Sequence, residues 1–96
     1  VTQSMYKLFV EYRIEPEHRK SFLTWAEKAK KRETGLIIYE GTDQPGLFVE
    51  IWEAAGESEA ERKKEERCAE RSFGSEMFDY VPGGRDKVHA WTFRAV

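Results

Sequence analysis

Residues 5–14 alternate without a break. Tyr6, Leu8, Val10, Tyr12 and Ile14 form one apolar set, interleaved with Met5, Lys7, Phe9, Glu11 and Arg13. A period of two predicts a strand whose first set packs on a core. The second set mixes Phe9 with charges. Pro16 then opens a helix, where its missing N–H leaves nothing unsatisfied. Phe22, Trp25, Ala26 and Ala29 recur at helical spacing. Glu15 and Glu17 lie near the positive end of the helix dipole, Lys28, Lys30, Lys31 and Arg32 near the negative end, and Gly35 is a terminator.

Residues 36–41 and 47–53 are rich in β-branched and aromatic side chains and flank Thr42-Asp43-Gln44-Pro45-Gly46, which predicts a hairpin. On its second strand Leu47, Val49 and Ile51 make a clean face, while Phe48, Glu50 and Trp52 make a mixed one. Gly56 breaks the chain. Ser58 and Glu61 then read as a capping box with Ser58 at the N-cap, ahead of a highly charged helix to about Arg71. Ala60, Cys68 and Ala69 are almost its only apolar residues, and Glu59–Lys63 is a favourable pair. Such a helix has to rest on the sheet through small residues and the stems of Lys64, Arg67 or Arg71. Gly74 interrupts it. Residues 76–80 predict a further turn burying Met77, Phe78 and, at its end, Tyr80; Pro82-Gly83-Gly84 ends that turn, and residues 87–95 predict the last strand.

The order β-α-β-β-α-β in 96 residues predicts a single α+β domain over residues 1–96. It is the ferredoxin-like plait, a four-stranded sheet with two helices on one face. A chain of this size buries about 65% of its surface, enough for a core without disulfides. Forty per cent hydrophobic residues exclude a disordered chain despite 35% charge. The apolar run Leu36-Ile37-Ile38-Tyr39 is too short to cross a bilayer, and no signal peptide is visible. With one cysteine, Cys68, the expectation is a cytoplasmic protein.

The sheet face away from the helices is expected to carry Met5, Phe9, Ile37 or its neighbours, Phe48 and Trp52. So much apolar surface predicts a partner, namely a second copy packing its sheet on this one to form a two-chain barrel with an enclosed space. RNA-recognition domains use the same plait, but here Glu50 and Glu53 fall where phosphates would lie, and the net charge is −2. Nucleic acid is therefore not an expected partner, and neither is a membrane.

The element order, the strand Phe48-Val49-Glu50-Ile51-Trp52-Glu53, and the ending Val81-Pro82-Gly83-Gly84 into Lys87-Val88-His89-Ala90-Trp91-Thr92-Phe93 resemble the dimeric α/β-barrel superfamily, in particular its antibiotic-biosynthesis-monooxygenase-like branch. The resemblance implies a homodimer with a small-molecule cavity in each subunit. It does not imply one reaction, because the fold hosts many. The haem-degrading branch uses an Asn on the first strand and a haem-ligating His on the second helix. This chain has no Asn, and no His between Ser58 and Tyr80. That route is disfavoured, and no cofactor is expected. The quinone-forming oxygenases of the superfamily also draw on Asn, beside Trp, Tyr and Arg.

Candidate chemistry centres on the mixed faces. Glu11, Glu50 and His89 are candidate catalytic groups, able to take a proton from an acidic C–H or phenol. Arg13 is placed to hold an anionic group, and Phe9, Phe48, Trp52 and Trp91 are candidate ligand contacts, Trp52 as a stacking platform. Each has a plainer reading: a rim ion pair for Glu11, Arg13 and Glu50, a hydrogen-bonded structural histidine for His89, and core or interface filling for the aromatics. The face on which His89 and Trp91 fall is open from sequence. His18 reads as solvated and Cys68 as filling a gap under its helix, with Arg67 and Arg71 beside it. No spacing supports a metal site. The chain thus reads as a cytoplasmic homodimer with a cavity for a small aromatic or enolisable molecule. It is either a cofactor-independent monooxygenase-like enzyme or a non-catalytic ligand-binding or structural dimer.

Overall fold

The computed structural model of the chain describes residues 5–69 and 73–96. Strand β1 (Tyr6–Arg13) leads through a short 3-10 turn into helix α1 (Arg19–Arg32). Strands β2 (Leu36–Glu40) and β3 (Leu47–Ala54) form the hairpin, helix α2 (Glu57–Cys68) follows, and β4 (His89–Arg94) closes the sheet. All neighbouring strands are antiparallel in the order β2-β3-β1-β4. This is the expected ferredoxin-like plait, with β1 and β3 central.

The register decides which residues share a face, since directly opposed residues point the same way. Leu8 lies opposite Trp52, Val10 opposite Glu50, and Tyr12 opposite Phe48. These residues look toward the helices. Phe22 of α1 packs on Phe48 and Tyr12 with ring centroids 4.4 and 5.7 Å apart. Trp25, Ala26 and Ala29 complete the buried stripe of α1, and Met77, Phe78 and Val81 close the core from the segment after α2. The opposite face carries Phe9, Val49, Ile51, Ile37, Tyr39, Trp91 and Phe93, half-buried or exposed.

Strand β3 is therefore turned over relative to the sequence expectation, whereas Ile37 of β2 lies on the open face as expected. Phe48, Glu50 and Trp52 do not face the open side; Leu47, Val49 and Ile51 do. The clean apolar set lies on the open face because the helix side has a polar requirement of its own. Among the described residues of α2 only Ala60 and Arg67 are buried, and the Arg67 guanidinium has to meet an anion. Glu50, fully buried, is that anion: Oε1 accepts from Arg67 Nε at 2.8 Å and Oε2 from Arg67 Nη2 at 2.6 Å. Trp52 Nε1 donates to Oε1 at 2.9 Å, and the Tyr12 hydroxyl donates to Oε2. The guanidinium also sits 5.3–6.0 Å from the ring centroids of Trp25, Phe78 and Tyr12, within cation–π range. Burial and the Glu50 charge push the Tyr12 hydroxyl well above its usual range. Burial works against the charged Arg67, yet the Glu50 hydrogen bonds prevail and raise it.

Helix α2 also starts and ends differently. Gly56, not Ser58, is the N-cap, so Glu59 rather than Glu61 occupies the third helical position and accepts the Ala55 N–H at 2.8 Å. The Glu59–Lys63 pair forms as expected, at 3.3 Å. The helix stops at Cys68 instead of about Arg71; Arg71 lies outside the described residues. Cys68 is half-buried, and no described helix is long and apolar enough to cross a membrane.

A second polar tie fixes α1 to the hairpin. Arg19 grips Glu40 through two bonds of 2.6 and 2.7 Å, and the Gly46 N–H donates to the same carboxylate at 2.9 Å. The Arg19 bond, then the Gly46 N–H, hold Glu40 down to about 2.

Two outcomes follow from these ties. Glu50→Gln and Arg67→Met should each destabilise the fold by about 3–5 kcal/mol, because each leaves its partner's charge or donors buried without a match. The double variant should be less destabilised than the sum, a coupling that denaturant unfolding measures directly. Glu40 is held below its unfolded value, so its stabilising effect is complete above 4.5 and is lost as pH falls toward 2. The stability difference between wild type and Glu40→Gln should shrink across that window in pH-dependent denaturant unfolding.

Candidate functional site

The open face and the segment leading into β4 meet at one end of the sheet. Glu11 and His89 stand directly opposite each other on β1 and β4, and Arg13 follows two residues on along the same face of β1. Strand alternation thus settles the side of β4: His89, Trp91 and Phe93 look outward with Phe9, away from the helices. The loop of residues 81–87 overhangs this end. Between loop, strands and hairpin turn lies an open cleft of about 370 Å³, lined by Glu11, Arg13, Gln44, Leu47, Val81, Pro82, Lys87 and His89, with Tyr12 at its back. Arg13 donates through Nη2 to Gln44 Oε1 at 2.7 Å.

Three of the sequence-derived candidates, Glu11, Arg13 and His89, therefore come together. The His89 ring stacks on Trp91 at 5.9 Å and 25° between planes, which fixes one side of the imidazole. A carboxylate and an imidazole side by side at the mouth of a cleft can accept a proton from a bound acid, and a guanidinium two residues along can hold its anion. Phe9 and Trp91 lie outside the cleft on the open face, where Phe9 meets Phe93 edge to face at 4.8 Å. Phe48, Glu50 and Trp52 belong to the other side of the sheet. The Glu50 carboxylate already accepts four hydrogen bonds, which fills its acceptor capacity and leaves no lone pair for a substrate proton.

Sequence reasoning missed Gln44, Leu47, Val81, Pro82 and Lys87 as neighbours of this group. Gln44 and Pro82 read only as turn residues, and Lys87 only as the start of a strand. Their common feature, convergence on the end of β1, is not a local pattern.

Among the described residues, Glu15, Glu17 and His18 bring ligand atoms within 4.8 Å of one another. The trio is at the surface, where Glu17 raises the Glu15 carboxyl by sharing a hydrogen bond with it. It is an ordinary solvated cluster, beside which His18 packs on Tyr80 with centroids 5.4 Å apart.

No family model and no curated protein matches the sequence. Solved structures do match over nearly the whole chain. A structure described as an antibiotic biosynthesis monooxygenase is 19% identical with a TM-score of 0.66, over 96% of this chain and 99% of its own. A conserved protein from Methanosarcina mazei Go1 is 15% identical with a TM-score of 0.62, over 95% and 92%. A conserved protein of unknown function from Bacteroides thetaiotaomicron VPI-5482 is 14% identical with a TM-score of 0.61, over 97% and 99%. Likeness at this level of identity speaks to architecture, and the chain has the ferredoxin-like fold of the antibiotic-biosynthesis-monooxygenase-like proteins.

Proposed function

We propose that the chain is a homodimeric small-molecule enzyme of the cofactor-independent oxygenase type, with its reaction site in the cleft at Glu11, Arg13 and His89. The observation that carries this reading is the convergence of a proton acceptor pair and a cation in one cleft beside an apolar sheet face. Glu11, with His89, takes the proton of a bound phenol or enol. The resulting anion is electron-rich enough to react with O2. For a phenol going to a quinone the balance closes without a reductant: one oxygen atom enters the ring, and the other leaves as water with two substrate hydrogens. The neighbour described as a monooxygenase supports this class of reaction by fold alone.

Dimerisation through the open face is supported by the apolar side chains it leaves uncovered. Ile37, Tyr39, Trp91 and Phe93 are each about half exposed on that face.

Sedimentation should show a dimer at micromolar concentration, and Ile51→Lys, which puts a charge at the centre of the open face, should convert it to a folded monomer. A monomeric wild type would end the barrel reading. Oxygen uptake with a panel of electron-rich polyphenols tests the chemistry. Glu11→Gln and His89→Gln should each lower the rate by about a hundredfold or more while leaving the fold intact. Polyphenols that bind without oxygen uptake would replace this reading with the non-catalytic ligand-binding dimer.

A further inference from the structure

We infer that the same cleft contains an anion subsite built from Arg13 and Lys87, and that its ligand is a planar organic monocarboxylate. The inference rests on the cleft being the small-molecule site and adds the class of molecule it takes. Arg13 and Lys87 are the two lysine or arginine side chains that line the cleft, and among the described residues neither forms an ion pair with a carboxylate. Arg13 is instead oriented by the neutral Gln44 oxygen, which engages Nη2 and neutralises nothing. Its remaining N–H groups keep the planar fork that matches a carboxylate.

Lys87 is placed by backbone geometry. Gly83 has φ +87°, a conformation that side chains rarely adopt, and a Cβ built there would lie 2.6 Å from Lys87 Cγ. The lysine stem therefore lies in the space that the missing side chain leaves. Gly83 is thus more than a turn residue: it lets Lys87 lie back along the loop that walls the cleft.

Charge and shape select the ligand. Arg13 and Lys87 against Glu11 leave one positive charge in the cleft, in a chain whose net charge is −2. One surplus charge balances a carboxylate and leaves a phosphate dianion under-compensated. Leu47, Val81 and Pro82 supply an apolar wall for a flat body. The volume, about 370 Å³, is at the small end of ligand sites, which run from about 300 to 1,000 Å³.

Amide chemical shifts of the labelled protein, titrated with salicylate, salicylamide and inorganic phosphate, test the subsite. Salicylate should move the amides of Arg13, Gln44 and Lys87. Salicylamide and phosphate should bind about tenfold more weakly or worse, the scale of one charge-assisted hydrogen bond. Arg13→Gln and Lys87→Gln should each weaken salicylate by about the same factor and leave salicylamide unchanged. Gly83→Ala, which displaces the lysine stem, should match Lys87→Gln. Equal binding of salicylate and salicylamide at these amides would remove the anion subsite and leave the small-molecule reading standing. Phosphate binding as tightly as salicylate would overturn the monocarboxylate assignment. No response of the cleft amides to salicylate or salicylamide would overturn the subsite and the small-molecule reading together.

Discussion

The buried pair of Glu50 and Arg67 is the constraint around which the rest of this fold is arranged. Two charges leave water together here, and the desolvation is offset only because every lone pair of the carboxylate is used and three aromatic rings surround the guanidinium. A helix as polar as α2 has no apolar stripe to lay on a sheet. Ala60 lets it approach and Arg67 anchors it, so its attachment is specific in direction and register rather than generally adhesive. Hydrophobic burial holds α1 in the usual way, through Phe22, Trp25 and two alanines.

Placing Glu50 inward has a consequence on the far side of the sheet. A strand cannot turn one residue without turning its neighbours, because successive side chains alternate. With Phe48, Glu50 and Trp52 committed to the helices, Leu47, Val49 and Ile51 are committed to the open face, beside Ile37, Phe9, Trp91 and Phe93. The polar anchor on one side thus concentrates apolar surface on the other. A sheet built this way has a reason to pair with a second sheet.

The cleft takes its character from the boundary between these two environments. Glu11 and Arg13 lie where β1 runs out of its apolar neighbours, His89 starts β4 just opposite, and the loop from Val81 brings Pro82 and Lys87 over them. Charges that would be costly at the centre of either face are tolerated at the strand ends, where solvent still reaches them. A small acid entering there would meet cations with no competing carboxylate partner and a proton acceptor beside them. The proposed chemistry needs that combination.

The plait itself was legible in the sequence. Strict alternation over residues 5–14, the helical recurrence of Phe22, Trp25, Ala26 and Ala29, and the turn cluster at residues 42–46 are local patterns, and local patterns specify elements and their order. The grouping of Glu11 with Arg13 was legible too, since residues two apart on a strand share a face. The side taken by β3 was not. Both of its faces contain large apolar residues, so alternation alone left two answers, and the choice came from an arginine on another element that needed a buried anion. The side of His89 waited on the pairing of β4 with β1, and Lys87 joined the cleft only through the path of the loop across Gly83. Periodicity is written along the chain, whereas the partner of a buried charge is a neighbour in space, and only the tertiary structure names it.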